Sequence, residues 1–454
     1  MPIKVLKFGG TSVGTHLAME QAYHIVQQNA SGNHLVVVLS ACAGVTDTLL
    51  KISEICINSS KTEIEKIVEE LENRHIQLVV DLFRDGYKTA QCIKTINFLF
   101  ESLRKLIEGV RILGEITPKI IAEVLSYGEI LSSNIFYQYL LQREQSCYLL
   151  DAREVICTDN VYLNAKPDLE KISLNGTKVI NIFKNYNIII TQGFIGNWSK
   201  ETTTLGRGGS DLSAALFGYC LDADEIQIWT DVDGILTADP KIINNPRVIK
   251  EMIFEEVGEL SFFGAKVLHP ETIKPAISKN IPVRVLNTFN PKFDGTLIIP
   301  SKNTSDSNGV FHSLIFIGTS TFVSKRLETD SKDVNFYIRF LQQNFSNIVL
   351  FSSNSNNFYA IIKGIVTSNY QKELLQKEKI EIQIVETIAL VGNQILNLKE
   401  EDQNKIYEIL NSFPGHLLMP YPIVLSRYSL LFVARFGMGM DFLKEAHSIL
   451  LNRS

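Results

Sequence analysis

Short β-branched runs alternate with longer amphipathic stretches along the first two thirds of the chain, and this alternation restricts the fold more than any other feature. The runs "IKVLKF", "HLVVVLS", "NIIITQGFIG" and "EIQIWTDVDG" are predicted strands, and "LAMEQAYHIVQQ" and "SDLSAALFGYCL" are predicted helices. Strands that alternate with helices and are apolar on both faces favour a parallel sheet covered on both sides by helices. The sequence therefore predicts an α/β domain.

Two other regions differ from this alternating pattern of strands and helices. Residues from about 60 to 145 are predicted to be almost wholly helical, as an insertion in the α/β domain. A polar segment over 301–309 has linker composition, and the short strands and occasional helices beyond it suffice for two small α+β modules. We therefore predict a domain over 1–300, a linker over 301–310 with the boundary near residue 305, and two modules over 311–454, whether consecutive or interleaved.

Composition excludes several classes of protein. The 454 residues carry a formal net charge of −5, which leaves no basic footprint for nucleic acid. The six cysteines form no C-x-x-C pair, as is typical of reduced thiols in a cytosolic protein. The N-terminus lacks a signal-peptide pattern and no apolar run is long enough to cross a bilayer. We expect a cytoplasmic protein without membrane or nucleic-acid partners.

The segment "KVLKFGGTSVGT" places one lysine at the end of the first predicted strand, just before two glycines. It matches neither the P-loop nor the dinucleotide fingerprint. Ligands of a parallel sheet bind beyond the carboxyl ends of its strands, so the ammonium of Lys7 is expected to project into that crevice. Gly9 and Gly10 permit close approach of a polyanion, and their N–H groups, with those of Thr11 and Ser12, can donate to phosphate oxygens. A tight glycine turn with a solvated lysine is the alternative.

A second segment, "TTTLGRGGSDLSAAL", lies at a predicted strand-to-helix junction. Ser210 or Asp211 is expected to cap the helix, while the glycines before them expose N–H groups to an anion. Arg207 offers a planar fork suited to a carboxylate. An ordinary helix cap beside a surface arginine is the alternative.

Further segments are informative only in combination. "WTDVDGILTADPK" is not a calcium loop, because Pro240 stands where such a loop needs glutamate. It is better explained as a strand end beside a nucleotide, with Thr230 and Asp231 facing the ligand, although an ordinary Asp-Gly turn is also possible. Three more segments are "LSACAGVTDTL", "SYGEILSS" and "FGAKVLHPETI", which contain Ser40 and Thr46, Glu129, and Lys266. We do not assign His269 a catalytic role.

In order and spacing, the strings "KFGGTSV", "LSACAGVTD", "GEILSS", "TLGRGGSD", "WTDVDGI..ADPK" and "FGAKVLHP" resemble those of the aspartate kinase family, which has the amino-acid kinase fold. The resemblance covers nearly all of residues 1–300. It implies a parallel-rich sheet with helices on both faces, followed by tandem ACT-like regulatory modules. It also implies transfer of the ATP γ-phosphoryl group to the β-carboxylate of L-aspartate, which gives 4-phospho-L-aspartate for lysine, methionine and threonine biosynthesis.

The resemblance further implies roles for individual residues. Lys7 would stabilise the transferring charge, and Asp211 would orient both Lys7 and the substrate. Aspartate would be bound by Ser40, Thr46, Glu129, Arg207 and Ser210, with Glu129 taking its ammonium. ATP would be bound by Gly9, Gly10, Thr11, Ser12, Thr230, Asp231, Leu236, Lys241 and Lys266. Mg²⁺ would be carried mainly by the ATP phosphates, without dedicated protein ligands.

Departures from the family pattern affect two of these expectations. Relatives often have tyrosine near the position of Leu236 and arginine at that of Lys241, so nucleotide preference stays open. The stretch "TSTFVSKRLETDSKDVNF" lacks the G-F-[LM] helix start of lysine-inhibited relatives, and Val349 stands where they have an aspartate for the effector's ammonium. We predict a homodimer built through the ACT-like modules, with lysine feedback that is weak, absent or altered.

Two alternatives to an active aspartate kinase stay open at this point. One is a non-catalytic amino-acid sensor that retains the fold, although such a protein would not need a phosphate-neutralising lysine. The other is a kinase of a related small acid with the same fold. Because no further α/β domain follows the modules, we expect a single-function protein without a fused dehydrogenase.

Overall fold

The computed structural model describes residues 1–265, 268, 270–300, 310–327, 334–353, 356–393, 395–413 and 415–451. Its described residues form two compact units. The first lies within Met1–Ile235, Lys250–Phe254 and Leu268–Lys302, and the second within Leu236–Ile249, Glu255–Val267 and Asn303–Ser454. Nearly all of the predicted linker, residues 301–309, lies outside the described residues.

The first unit is built on an eight-stranded sheet of order β3-β4-β2-β1-β7-β9-β10-β8, beside a separate β5-β6 hairpin. Strands from β3 through β9 in that order run parallel, while β10 is antiparallel to β9 and parallel to β8. The strands are β1 (Ile3–Phe8), β2 (His34–Leu39), β3 (Cys147–Leu150), β4 (Ile188–Gln192), β5 (Ile195–Trp198), β6 (Glu201–Thr204), β7 (Glu225–Thr230), β8 (Glu251–Ile253), β9 (Val283–Asn287) and β10 (Thr296–Ile299).

Nine helices of the described residues fall between β1 and β10 in the chain, and eight of them belong to the first unit. They are α1 (His16–Ala30), α2 (Val45–Ile55), α3 (Lys61–Leu82), α4 (Gly86–Leu113), α5 (Pro118–Gln142), α6 (Leu169–Ile182), α7 (Gly209–Leu221), α8 (Phe254–Phe262) and α9 (Pro270–Ser278). Short 3₁₀ turns lie at Thr11–Val13 and Ala152–Glu154. The predicted parallel-rich α/β fold is confirmed.

Helices α3, α4 and α5 fill the region predicted to be a helical insertion. Phe100 of α4 and Phe136 of α5 belong to the same buried cluster as Phe8 of the central strand, so the insertion shares the core of the sheet. The insertion helices have clear start signals: the Ser60 hydroxyl accepts from the Glu63 amide at 3.2 Å, and Thr117 caps α5. The insertion is therefore held in a defined place beside the carboxyl edge of the sheet.

The second unit contains a six-stranded sheet of order β12-β13-β11-β14-β16-β15. Its neighbouring strands are all antiparallel. The elements are β11 (Phe311–Arg326), α10 (Val334–Asn344), β12 (Ile348–Ser353), β13 (Asn357–Lys363), α11 (Asn369–Lys377), β14 (Glu381–Gly392), a 3₁₀ turn at Ile395–Asn397, α12 (Glu400–Ser412), β15 (Ile423–Ser426), β16 (Ser429–Arg435) and α13 (Gly439–Leu451).

Two separate hydrophobic clusters lie within this unit. One contains side chains of β14, β16, α12 and α13, and the other contains side chains of β13, α10 and α11. The long strand β11 contributes to both clusters, through Leu314 to the first and through Val323 to the second. This architecture is consistent with the two ACT-like modules predicted from the sequence.

The second unit also includes residues that precede residue 300 in the chain. Ala238 and Ile243 are buried in the first of its two clusters, and the amide of Leu314 donates to the carbonyl of Thr237 at 2.9 Å. The segments 236–249 and 255–267 therefore belong to the second unit, although they precede the boundary near residue 305 that the sequence predicts.

None of the helices formed by the described residues is long and apolar enough to cross a membrane.

Candidate active site

A cleft of about 350 Å³ opens at the carboxyl ends of β1 and β2 in the first unit. Its wall combines the turn after β1, the loop from β2 into α2, the middle of α5 and the start of α7. Seven residues named from the sequence line it: Lys7, Gly10, Ser40, Thr46, Glu129, Ser210 and Asp211. The fold thus brings together residues that lie in four separate segments of the chain.

Lys7 and Asp211 form the polar centre of this cleft. Lys7 lies in β1 between β2 and β7, and its Nζ is 2.6 Å from the Asp211 Oδ1 atom. Lys7 is only 9% exposed, so its ammonium is held near the strand end and does not move freely in solvent. An ammonium has three donors, which leaves two for other acceptors while the ion pair with Asp211 persists.

The glycine turn after β1 is hydrogen-bonded differently from the prediction. The Gly9 amide donates to the Trp229 carbonyl at 3.0 Å, and the Ser12 amide donates to the Gly9 carbonyl at 2.9 Å. The Ser12 hydroxyl is fully buried between Trp229 and Thr288. Both amides therefore already have backbone partners, and phosphate binding by Gly9 and Ser12 stays a prediction.

Two amides of the same turn are still available for an anion. Within the described residues, the N–H groups of Gly10 and Thr11 have no hydrogen-bond partner. A Cβ at Gly10 would lie 2.8 Å from the Ala41 carbonyl oxygen, so the close approach of the two loops requires glycine there. The turn after β1 can therefore present two donors beside the Lys7 ammonium.

Helix α7 begins without a side-chain cap, contrary to the prediction for Ser210 and Asp211. Gly208 is the N-cap residue with a left-handed φ of 72°, and the helix starts at Gly209. Because the chain turns at Gly208, Ser210 and Asp211 fall in the first helical turn and their side chains can face the cleft. The carboxylate of Asp211 is also favourably placed near the positive end of the helix.

Glu129 is an acidic residue buried in the wall of the cleft. It lies in the middle of α5 and is 3% exposed, and its Oε1 accepts from the Ala41 amide at 3.1 Å. Its Oε2 has no hydrogen-bond partner in the described part of the chain. Burial raises the pKa of Glu129 to about 8, although the Ala41 hydrogen bond and the Lys7 charge act in the opposite direction. The site therefore favours a cationic ligand group beside Oε2.

This raised pKa predicts that Glu129→Gln stabilises the protein in a pH-dependent way. The folded protein holds the Glu129 proton up to about pH 8, whereas the unfolded chain releases it near its ordinary value. Glu129 therefore lowers stability increasingly as pH rises between those two values, and its contribution is constant outside them. The melting temperature of Glu129→Gln should rise relative to that of wild type between pH 5 and pH 8. A constant difference across that range would contradict this.

Ser40 and Thr46 lie on the loop between β2 and α2. The Ser40 amide donates to the Phe8 carbonyl at 3.1 Å, and its carbonyl accepts from the Ser132 hydroxyl at 2.7 Å. These backbone bonds anchor the loop while the Ser40 side chain lines the cleft. Thr46 lies in the first turn of α2, just after Gly44, whose left-handed φ of 79° turns the chain into the helix.

Arg207 differs from the other predicted substrate residues. It is exposed and does not line the cleft, although Gly206 and Gly208 on either side of it do. Its guanidinium makes no hydrogen bond or ion pair with the residues that the structure describes. The side chain must therefore turn inward if it is to bind a carboxylate in the cleft.

Phe194 and Asp47 are among the cleft residues that were not named from the sequence. Phe194 has a left-handed φ of 66°, which is uncommon for a residue with a Cβ, and its amide donates to the Ser213 hydroxyl at 2.9 Å. In the sequence, the Gly-Phe pair near the end of a predicted strand could have indicated that Phe194 lies at the site. Asp47 is exposed in the first turn of α2.

Apart from Gly10, the predicted nucleotide residues that the structure describes do not line this cleft. Thr230 ends β7 in the first unit and Asp231 follows it, and the Thr230 hydroxyl donates to the Asp231 carboxylate at 3.2 Å. Leu236 and Lys241 belong to the second unit. Leu236 forms an isolated bridge with Val248, and Lys241 is exposed. Lys266, like His269, lies outside the described residues.

Comparison with known protein families agrees with the parallel-rich sheet. Residues 2–287 match the Amino acid kinase family, and the chain belongs to that family. This region includes every residue that lines the cleft.

Named relatives identify the activity within the family. The chain is 36% identical over 329 residues to Lysine-sensitive aspartokinase 3 of Escherichia coli, covering 71% of this chain and 69% of the relative. It is 37% identical over 311 residues to an aspartokinase of Chlamydia trachomatis, covering 68% and 67%. The protein is an aspartate kinase, and the prediction from its motifs is confirmed.

Solved structures extend the similarity to the whole chain. E. coli aspartokinase III in complex with lysine and aspartate, in the T-state, superposes with a TM-score of 0.77 at 28% identity, covering 99% of both chains. The same enzyme in complex with aspartate and ADP, in the R-state, gives a TM-score of 0.74 at 28% identity, again covering 99% of both chains. These structures therefore match the second unit as well as the first.

Proposed function

We propose that the protein transfers the γ-phosphoryl group of ATP to the β-carboxylate of L-aspartate at the cleft lined by Lys7. The observation that carries this proposal is the Lys7–Asp211 ion pair of 2.6 Å, which lies in the same cleft as the unpartnered oxygen of Glu129. One cleft therefore holds a cation for the reacting anions and an acid for an ammonium. An amino acid with a second carboxylate fits both requirements.

We assign the ammonium of aspartate to Glu129, since Oε2 is buried and has no partner among the described residues. Binding of a cation there favours the ionised carboxylate, against the burial that raises its pKa. Ser40, Thr46 and Ser210 line the same cleft with hydroxyl groups and would hydrogen-bond the substrate carboxylates. Arg207 would turn inward to hold the α-carboxylate with its planar fork.

The transfer step brings two anions into contact, so its catalysis is mainly alignment and charge neutralisation. A carboxylate oxygen of aspartate forms the new bond to the γ-phosphorus as the bond from that phosphorus to the bridging oxygen breaks, and ADP leaves. Lys7 would donate to the carboxylate and to the transferring phosphoryl group, while Asp211 keeps the ammonium in place. The amides of Gly10 and Thr11 would add donors for phosphate oxygens.

ATP as the phosphoryl donor agrees with membership of a kinase family and with the ADP bound to E. coli aspartokinase III. We propose that Thr230, Asp231, Leu236, Lys241 and Lys266 contribute to the nucleotide site. We further propose that Mg²⁺ is carried mainly by the ATP phosphates, where it would screen their charge. Leu236 would offer the nucleotide apolar contact without a hydroxyl.

A coupled ADP-release assay with aspartate, glutamate and UMP as acceptors tests this assignment. We expect aspartate alone to support turnover. ADP release with glutamate or UMP but not aspartate would indicate a kinase of a different substrate. Binding of aspartate without ADP release would indicate a non-catalytic sensor.

We also propose that lysine inhibits this protein weakly or not at all. Val349 lies in β12, an end strand of the second sheet, and an apolar side chain there cannot pair with the ammonium of an effector. Part of the other departing segment, 328–333, lies outside the described residues. We expect activity to persist as lysine and threonine are each raised to several millimolar. Inhibition by lysine in the low-millimolar range or below would contradict this.

The remaining proposals concern the subunit assembly of the protein and its location in the cell. We propose a homodimer formed through the ACT-like modules, since both β12 and β15 are end strands with one unpaired edge in the described sheet. Sedimentation of the purified protein tests this directly. We propose the cytoplasm as its location, in keeping with six cysteines that are all free thiols.

A further inference from the structure

We propose that Arg74 is a positioning residue for aspartate binding, because it holds the loop over 40–47 in place and supplies positive charge beside the cleft. Arg74 lies on α3 of the helical insertion, outside every motif that identified the site. The inference rests on the proposed binding of aspartate in this cleft, and it gives the insertion a direct part in substrate recognition.

The first observation is a hydrogen bond from the insertion to the loop. The Arg74 Nη2 atom donates to the Ala43 carbonyl at 2.7 Å. The Nη1 atom lies 3.9 Å from the point where a Cβ of Gly44 would stand, so the guanidinium covers the turn that starts α2. Seven residues of this loop line the cleft: Ser40, Ala41, Cys42, Ala43, Gly44, Thr46 and Asp47.

The loop is therefore held by side chains on two sides. Glu129 of α5 accepts from the Ala41 amide at 3.1 Å, and Arg74 of α3 donates to the Ala43 carbonyl two residues further on. The Ala43 amide also donates to the Gly10 carbonyl at 3.0 Å, which links the loop to the turn after β1. Loss of the Arg74 bond would remove one restraint on the part of the loop that leads to Thr46, while the Ala41 and Ala43 amides stay bonded.

The second observation concerns charge. Arg104 of the insertion pairs with Glu65 and Glu72, and Arg84 pairs with Glu20. Arg74, in contrast, has no carboxylate within ion-pair distance among the described residues, and its side chain is exposed. The Arg74 charge also acts on Cys42 in the cleft wall. Burial raises the pKa of the Cys42 thiol to about 12, and the nearby Arg74 charge partly offsets this rise. An uncompensated cation at this position would attract a substrate that carries two carboxylates.

The two contributions can be separated with substitutions at the one position. Arg74→Lys retains the charge and one donor, Arg74→Gln retains a donor without the charge, and Arg74→Met retains neither. Lys66→Met is the matched control, since Lys66 is an exposed cation on the same helix that does not line the cleft. Kinetic constants for aspartate and ATP and the melting temperature are measured for each variant.

We expect Arg74→Met to raise KM for aspartate about tenfold while KM for ATP changes less than about twofold and the melting temperature stays within about 2 °C of wild type. Arg74→Lys should recover most of this loss and Arg74→Gln a smaller part. The KM for aspartate should also depend less on salt in Arg74→Met than in wild type, because a screened attraction has been removed.

Two results would overturn the inference. One is kinetic constants for Arg74→Met that match those of Lys66→Met. The other is a fall in kcat and in melting temperature together with a rise in both KM values, which would show a merely structural role. If Glu129→Gln leaves KM for aspartate unchanged, the proposed site itself is wrong. If Glu129→Gln raises it and Arg74→Met does not, only the role of Arg74 fails.

Discussion

Replacing Lys7 with methionine is expected to lower kcat by about 10³-fold, since removal of one preorganised donor to a developing charge typically costs 10²–10³-fold. KM for aspartate and for ATP should change much less. The Lys7 ammonium is held 2.6 Å from Asp211 and is almost fully enclosed, so water cannot readily replace it. The loss should therefore fall on the transfer step, where charge moves between the two substrates.

Lys4→Met is the matched control for this substitution. Lys4 lies on the same strand, but its ammonium is 3.6 Å from Glu225, and it does not line the cleft. We expect its steady-state constants to equal those of wild type. Turnover by Lys7→Met at the wild-type rate would rule out the role given to this ammonium. A melting temperature measured for both variants excludes unfolding as the cause.

The second large effect is expected for Glu129→Gln, which should raise KM for aspartate by about 10²-fold. Glutamine can still accept from the Ala41 amide, but it offers no charge to the substrate ammonium. Loss of a buried charge-assisted hydrogen bond commonly costs about 1.5–3 kcal/mol, and 1.4 kcal/mol corresponds to tenfold. The effect should appear in kcat/KM for aspartate and be small for ATP.

The pH dependence of aspartate binding gives an independent measurement of the same contact. In the free protein Glu129 is protonated below about pH 8, because burial raises its pKa, and the substrate ammonium requires the ionised form. Wild-type affinity for aspartate should therefore rise as pH increases from 6 to 8 and then level off. Calorimetry in buffers of different ionisation enthalpy should show a proton released on binding at pH 7.

Glu123→Gln is the control for Glu129→Gln. Glu123 lies on the same helix, is 38% exposed on its side chain, and is 3.9 Å from Arg153. We expect its affinity for aspartate to keep the wild-type pH profile, whereas Glu129→Gln should give a flat one. A steep profile that survives in Glu129→Gln would assign the titration to another group. Glu129 thus lowers the stability of the free protein and favours substrate binding.

The sequence predicted part of the cleft because several of its residues follow a local rule. Lys7 and Ser40 lie at the ends of predicted parallel strands, and such ends meet at one edge of a sheet. Glu129 was placed only through the family resemblance, since a glutamate on a helix is usually solvated. Its burial against Ala41 depends on how α5 packs against a loop that lies far away in the chain.

Two differences from the prediction arise at the glycine turns. The Gly9 amide was expected to be exposed, but it donates to the Trp229 carbonyl, which is distant in sequence, and the Ser12 amide donates to the Gly9 carbonyl within the turn. Ser210 does not cap α7, because the left-handed turn at Gly208 places the N-cap two residues earlier. Local motifs indicate which residue types are present, but they did not show these backbone conformations or the distant partner of Gly9.

The contact of Arg74 and the position of the segment 236–249 also could not be predicted from local sequence. Arg74 belongs to a stretch that appears in sequence only as one more amphipathic helix, and its contact with Ala43 follows from the packing of the insertion. The residues between β7 and β8 carry no strong helix or strand pattern, yet Ala238 and Ile243 are buried in the second unit. Neither feature has a local sequence signal.

The most direct test of the account is a crystal structure of the protein with L-aspartate and a non-hydrolysable ATP analogue. We expect the Lys7 Nζ atom to lie within about 3.2 Å of both a β-carboxylate oxygen of aspartate and an oxygen of the terminal phosphate. The Glu129 carboxylate should contact the substrate ammonium in the same structure. A Lys7 side chain directed into solvent, away from both ligands, would contradict the account.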